Sequence, residues 1–303
     1  MKNPSYLKPG DTIAIVAPAG VIKSESSIYE SVSLMESWGL HVIIGKQVFS
    51  KNNHFAGTDS QRLEDFQWAL DDSSIKAIWC ARGGYGTVRI IDDLDFSEFQ
   101  NKPKWVVGYS DITVLHSHIH SLGVETLHAM MPVNMDFAKE SRTKSVATLK
   151  KALFGEQIGY SISSSIYNKT GSTSGKLVGG NLTILENLLG TPSSLDTANK
   201  ILFIEEIGEY KYHIDRLLRA LDRSGAFKDC NGLIVGDMSH IKKNNPAFGQ
   251  RIEDIILDIV SKYNIPVLFD FPAGHEPENS ALFLGREIEL EVTSSSGSIH
   301  FIE

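Results

Sequence analysis

After a polar opening the chain runs into Thr12-Ile-Ala-Ile-Val-Ala17, closed by Pro18-Ala19-Gly20. A short continuous apolar run bounded by turn residues predicts a buried strand entering a loop. Ser24 to Ser27 can cap a helix, and Ile28, Val32, Met35 and Trp38 keep helical spacing until Gly39 ends it. Residues 40–44 predict a second strand, so the chain opens as strand, helix, strand with a connection suited to a parallel pair. The alternation continues. Leu63, Phe66 and Leu70 share a helical face over 60–70, Ile75–Cys80 predicts a third strand, and 87–94 a helical stretch. Residues 104–107 predict a fourth strand, leading through Gly108-Tyr109-Ser110-Asp111 into a helix carrying Ile112, Leu115 and Ile119. The expected fold class is α/β, with a parallel sheet in the N-terminal part.

From about Lys151 the texture changes, and residues 161–174 are rich in Ser, Thr, Gly and Asn, as in a linker or exposed hairpin. A domain boundary is placed there, giving an N-terminal α/β domain over 1–160 and a C-terminal domain over 161–303. Beyond it come a strand over 175–178 and a helix opening at Gly179-Gly180-Asn181 with Leu182, Leu185, Leu188 and Leu189. Further strands are expected at 201–205, 233–235 and 266–269, with a helix over 213–221 and a terminal hairpin of 287–292 with 299–302.

The 303 residues suit two domains, and 42% hydrophobic with 22% charged residues is ordinary globular usage, excluding fibrous and disordered classes. With 29 basic against 37 acidic residues the net charge is −8, which argues against nucleic acid as a partner. Cys80 and Cys230 lie far apart without CxxC spacing, so neither a disulfide framework nor a zinc knuckle is expected. The N-terminus has no apolar signal region and no run is long enough for a membrane span, so a cytoplasmic protein is expected, without a membrane partner.

Ser110 follows a buried strand and opens a helix, where its hydroxyl stands at a sharp turn. The N–H of Asp111 there can serve a developing oxyanion. The segment is like the elbow G-x-S-x-G but carries Ile112 at the second glycine, and Ser or Asp before a helix is most often a simple cap. Arg82-Gly83-Gly84-Tyr85-Gly86 permits close backbone approach; Arg89 breaks the G-x-G-x-x-G fingerprint and there is no P-loop, leaving a tight turn or an oxyanion loop. His116, His118 and His120 do not share one helical face and lack H-E-x-x-H, so no metal is expected. His275 sits in a loop between Gly274 and Pro277, positioned rather than packed. Glu205, Glu206 and Glu209 close an apolar strand; alternation puts the first two on opposite faces, so one can orient a histidine while the other caps or is solvated.

Together these segments resemble the LD-carboxypeptidase family of serine peptidases. The resemblance spans nearly the whole chain. It is carried by Ala17-Pro18-Ala19-Gly20, Phe55-Ala56-Gly57-Thr58 with Arg62-Leu63-Glu64-Asp65, and Arg82-Gly83-Gly84-Tyr85-Gly86. It continues in Gly108-Tyr109-Ser110-Asp111, Gly179-Gly180-Asn181-Leu182, Ile204-Glu205-Glu206 before His213-Ile214-Asp215-Arg216, and Gly274-His275-Glu276. The resemblance implies Ser110 as nucleophile, Glu205 as the acid and His275 as the base of a triad. Oxyanion donors would be the N–H of Asp111 and one from Gly83 or Gly84.

It further implies an N-terminal parallel-sheet domain carrying the nucleophile and a smaller, mainly β C-terminal domain carrying acid and base, with the active site between them. Family members are commonly homodimers. The family reaction removes a C-terminal D-amino acid from an L-centre, notably D-alanine from cytoplasmic murein tetrapeptides in cell-wall recycling, with no cofactor. Arg82 is a candidate for the substrate carboxylate, with a structural salt bridge as the alternative, and Gly180-Asn181 for a substrate-facing amide, with helix capping as the alternative. A same-fold peptidase that cleaves peptidyl-nucleotide antibiotics, or aminoacyl nucleotides, is the competing expectation. A non-catalytic ligand-binding protein comes next, and a nucleotide-dependent oxidoreductase last.

Overall fold

The computed structural model describes residues 1–302. Its first elements are β1 (Thr12–Val16), α1 (Glu25–Ser37), β2 (His41–Ile44), α2 (Asp59–Asp71), β3 (Ile75–Cys80), α3 (Ser97–Asn101), β4 (Trp105–Gly108), α4 (Thr113–Ser121), β5 (Thr126–His128) and α5 (Thr143–Phe154). There follow β6 (Gly159–Ser163), β7 (Gly171–Asn181), α6 (Leu182–Asn187), β8 (Lys200–Ile207), α7 (Lys211–Ser224), β9 (Gly232–Ser239), α8 (Ile252–Val260) and β10 (Val267–Leu268). Three strands close the chain: β11 (Leu282–Leu284), β12 (Glu287–Val292) and β13 (Ser296–Phe301).

The chain forms two units, residues 1–156 with 277–283, and residues 157–276 with the chain from Leu284 onwards. In the first, the strand order is β11-β5-β4-β3-β1-β2, and β1 to β5 pair in parallel. Ile13, Ala14, Ile15 and Val16 are wholly buried, as a parallel strand covered on both faces requires. The chain leaves β1 for β2 on one side and then crosses to β3 on the other. The carboxyl ends of β1 and β3 therefore meet at the topological switch point, where open α/β sheets hold their ligands. Gly20 and Gly83 sit there, joined by Gly20 N–H to the Gly83 carbonyl at 3.0 Å. Ser110 follows the next strand.

The second unit is built on a sheet of order β10-β9-β8-β7-β12-β13-β6. Strands β7 to β10 are parallel; β12, β13 and β6 add antiparallel neighbours. Leu182 and Leu185 of α6, Ile214, Leu217 and Leu221 of α7, and Ile255, Ile256 and Ile259 of α8 pack on Leu202, Ile204, Leu233 and Val235. This unit thus adds three helices to its sheet.

Several expectations change. The helical stretch over 87–94 is two 3-10 turns, Thr87–Arg89 and Ile91–Asp93. The Thr87 N–H there is taken by the Asp111 carboxylate at 2.9 Å, and Ile90 at φ −121° interrupts the helical path. Residues 161–174 form neither a linker nor a hairpin: β6 pairs with β13, and β7, beginning at Gly171, pairs with β12 and β8. The chain also returns to the first unit at 277–283. Ser145 Oγ donates to the Pro277 carbonyl at 3.0 Å and accepts from Asn279 N–H at 2.8 Å, while Thr148 Oγ1 accepts from Ala281 N–H at 3.1 Å.

Candidate active site

In the first unit, β4 ends at Gly108 and Tyr109 is extended, at φ −152° and ψ −173°. Ser110 then takes φ +64° and opens a single 3-10 turn, Ser110–Ile112, ahead of α4. A side chain in this left-handed conformation costs roughly 1–2 kcal/mol, and such strain concentrates at functional positions. A Cβ on Gly108 would lie 2.9 Å from Cγ1 of Ile112. The turn is so tight that the residues two before and two after Ser110 cannot both carry side chains, which is why Ile112 is tolerated opposite a glycine.

Gly83 packs directly on this turn. A Cβ there would lie 2.9 Å from Ser110 Cβ, 3.1 Å from its Oγ and 3.2 Å from Asp111 N, so only glycine fits without displacement. Gly84, at φ +102°, supplies the left-handed bend that follows. The Asp111 side chain is buried and points away into the loop, accepting the Thr87 N–H. Burial pushes its carboxyl pKa up against that hydrogen bond and the nearby Arg62 charge.

Arg62 is the organising residue that the sequence showed only as part of a motif. Its guanidinium, buried at 1% exposure, donates to the carbonyls of Pro18 and Gly86 and pairs with Asp59, tying the loops after β1 and β3 together. One signal was readable. Thr58 and Gln61 form a capping box, which puts Arg62 in the first turn of α2. Arg82 donates Nη1 to the Val21 carbonyl at 2.8 Å, a backbone contact in place of the salt bridge weighed above. His116 is buried beneath the turn with Nε2 2.9 Å from the Gly108 carbonyl; burial lowers its pKa to about 4, so it is neutral and donates. His118 packs on the Phe96 ring, and no group of metal-ligating side chains occurs among the described residues.

In the second unit β8 is buried from Ile201 to Glu206, where Glu205 and Glu206 diverge. Glu205 is wholly buried, and its Oε2 lies 2.7 Å from His275 Nδ1. Glu206 turns to the start of α6, accepting from Thr183 N–H at 2.8 Å, Thr183 Oγ1 at 2.7 Å and Asn181 Nδ2 at 3.2 Å. Burial raises the Glu206 pKa against these donors. Glu209 instead pairs with His213. Asn181 caps α6 through Oδ1, accepting from Ile184 N–H at 3.2 Å, while its Nδ2 is turned to Glu206; Gly180 precedes it in β7 at φ +145°.

Burial acts to lower the His275 pKa, but the Glu205 carboxylate, aided by Glu206 and Asp237, outweighs it, and the net shift is upward. With Nδ1–H donated to Glu205, the neutral imidazole carries its basic lone pair on Nε2. The structure thus joins Gly83, Ser110 and Asp111 in one unit and Glu205 with His275 in the other.

Residues 13–129 match the LD-carboxypeptidase N-terminal domain, and residues 174–290 match the LD-carboxypeptidase C-terminal domain. Over 301 residues the chain is 33% identical to a probable murein peptide carboxypeptidase of Bacillus subtilis, covering 98% of this chain and 94% of that one. It is 24% identical over 326 residues to the microcin C7 self-immunity protein of Escherichia coli, covering 97% and 94%. Its fold is similar to the crystal structure of muramoyltetrapeptide carboxypeptidase from Oxalobacter formigenes, with TM-score 0.87 and 27% identity over 96% of this chain and 99% of that one. With both domains matched and this likeness sustained along the chain, the protein belongs to the LD-carboxypeptidase family and is a peptidase.

Proposed function

We propose that the chain is a serine carboxypeptidase that hydrolyses the bond between an L-centre and a C-terminal D-amino acid, releasing D-alanine from murein tetrapeptides, with Ser110, Glu205 and His275 as its triad. The observation that carries the triad is the 2.7 Å pair of His275 Nδ1 and Glu205 Oε2, which makes Nε2 the basic nitrogen of the ring. Ser110, held at φ +64° against Gly83, is the nucleophile this base would serve.

In this mechanism Ser110 Oγ attacks the scissile carbonyl while His275 Nε2 takes its proton. The oxyanion accepts from the N–H of Asp111 and from one N–H of the Gly83-Gly84 turn, each donor contributing about 3 kcal/mol to the transition state. Nε2 then protonates the departing amine, and D-alanine leaves. Water, deprotonated by His275, cleaves the acyl-enzyme, and the proton returns to Ser110. Glu205 holds the imidazole tautomer and stabilises the imidazolium. Arg82, with one N–H spent on Val21, has others to offer the substrate's terminal carboxylate.

The proposal extends to cytoplasmic cell-wall recycling by a homodimer, as the family resemblance implies. Cleavage of a peptidyl nucleotide by the same chemistry is the second reading, supported by the microcin C7 relative at lower identity than the murein peptide relative. The test compares initial rates on three substrates: a murein tetrapeptide ending in D-Ala, its L-Ala epimer, and an aminoacyl nucleotide. Preference for the D-Ala peptide is expected. Turnover of the nucleotide alone would overturn the murein assignment in favour of the second reading.

A further inference from the structure

We infer that Asp237 is a positioning residue for His275, bracing the loop backbone on both sides of the imidazole. The inference rests on the triad reading above and deepens it. Asp237 stands near the end of β9, and its own N–H donates to the Ala273 carbonyl at 2.9 Å. Its side chain then fills the space beside residue 274. Gly274 takes φ +146°, and a Cβ there would lie 2.8 Å from Asp237 Cβ and 3.0 Å from Oδ2. On the far side of His275, the Glu276 N–H donates to the same Oδ2 at 3.2 Å. Residues 273, 274 and 276 are thus all referenced to Asp237. Glu205 fixes the ring, whereas Asp237 fixes the backbone from which the ring projects.

Charge adds a second component. The groups bearing on His275 are Glu205 and Glu206 from β8 and Asp237 from β9, all acidic, and Glu276 of the same loop acts on Asp237 in turn. Glu253 of α8 and Asp270 line the same cavity of about 340 Å³ as Asp237 and Glu276, and no basic side chain lines it among the described residues. Burial raises the Asp237 carboxyl to about 6, against the Glu276 N–H and His275, so this carboxylate is ionised at pH 7 and favours the imidazolium.

The experiment measures kcat, KM and the pH profile of kcat/KM on a D-Ala murein tetrapeptide for the full chain, for Asp237→Ala and for Asp237→Asn, with His275→Ala in parallel. Asp237→Ala loses brace and charge and is expected to lower kcat roughly 10- to 100-fold with KM little changed, the scale of a misplaced catalytic group. Asp237→Asn keeps an acceptor of equal size, so it should recover most of kcat while the acid limb moves to lower pH. Where the alanine variant does not fold, the asparagine variant carries the test through its acid limb. Wild-type kcat and acid limb in the folded variants would overturn the inference. So would equal loss in both with an unmoved limb, which assigns Asp237 a purely structural role. Undiminished turnover by His275→Ala would instead remove the triad reading itself.

Discussion

Nδ1 of His275 lies 2.7 Å from Oε2 of Glu205, a carboxylate with no exposure to solvent. A buried carboxylate with one histidine on it fixes the tautomer, and an amide in its place can donate as well as accept. Glu205→Gln is therefore expected to lower kcat by roughly 10³- to 10⁴-fold with KM nearly unchanged. Steady-state kinetics on a folded variant, checked by its thermal transition, reads this out.

The same pair sets the pH dependence. In the proposed mechanism His275 must be neutral to take the Ser110 proton, and its pKa is raised in the folded protein, so activity is expected to be lost as pH falls through that raised value. The acid limb of kcat/KM should lie above the ordinary histidine value of about 6.5. Glu205→Gln removes the charge that favours the imidazolium and should move the residual limb downward. A limb in the wild type well below 6.5 would contradict the assignment.

Gly83→Ala would press a methyl group to 2.9 Å from Ser110 Cβ. Either the loop or the serine turn must move, so kcat is expected to fall by about 10²-fold or more, the scale of a lost oxyanion donor, for a stability cost of about 1–3 kcal/mol. Paired kinetics and denaturant unfolding would separate the two effects.

Ser110 also carries a backbone prediction independent of chemistry. At φ +64° an alanine keeps the left-handed penalty while glycine does not. Both variants should be inactive, but Ser110→Gly should exceed Ser110→Ala in stability by about 0.5–1 kcal/mol, the relief being partly offset by the glycine's unfolded-state entropy. Urea midpoints at equal m-value test this.

Arg62→Met would leave the buried carbonyls of Pro18 and Gly86 without their shared donor. Unfolding free energy should drop by about 2–4 kcal/mol, and kcat should fall because the loop holding Gly83 is released. Arg62→Lys, lacking the planar fork, should fall between the two. Wild-type stability in the methionine variant would remove the organising role.

The parallel strands were legible because they are largely buried on both faces and read as apolar runs broken only near their starts, at Thr12 and Lys76: Thr12–Val16, Ile75–Cys80 and Trp105–Gly108 lie close to where the pattern puts them. The 87–94 segment was not. Its backbone is governed by Asp111, far along the chain, and local periodicity carries no trace of that bond. The edge strand β6 was hidden for a related reason, since Gly159, Ser161 and Ser163 in an exposed edge look like a loop until β13 pairs with them. Alternation separated Glu205 from Glu206 without saying which meets the histidine; the partners Thr183 and His275 decide it. Nothing local in the sequence singled out Asp237, because its bonds run to a loop nearly forty residues away.

The most direct test of the central claim follows free D-alanine by mass spectrometry when purified protein is incubated with a murein tetrapeptide ending in D-Ala, alongside Ser110→Ala and His275→Ala. Release by the wild type is expected, and almost none by either variant. Near-normal release by a folded Ser110→Ala protein would contradict it.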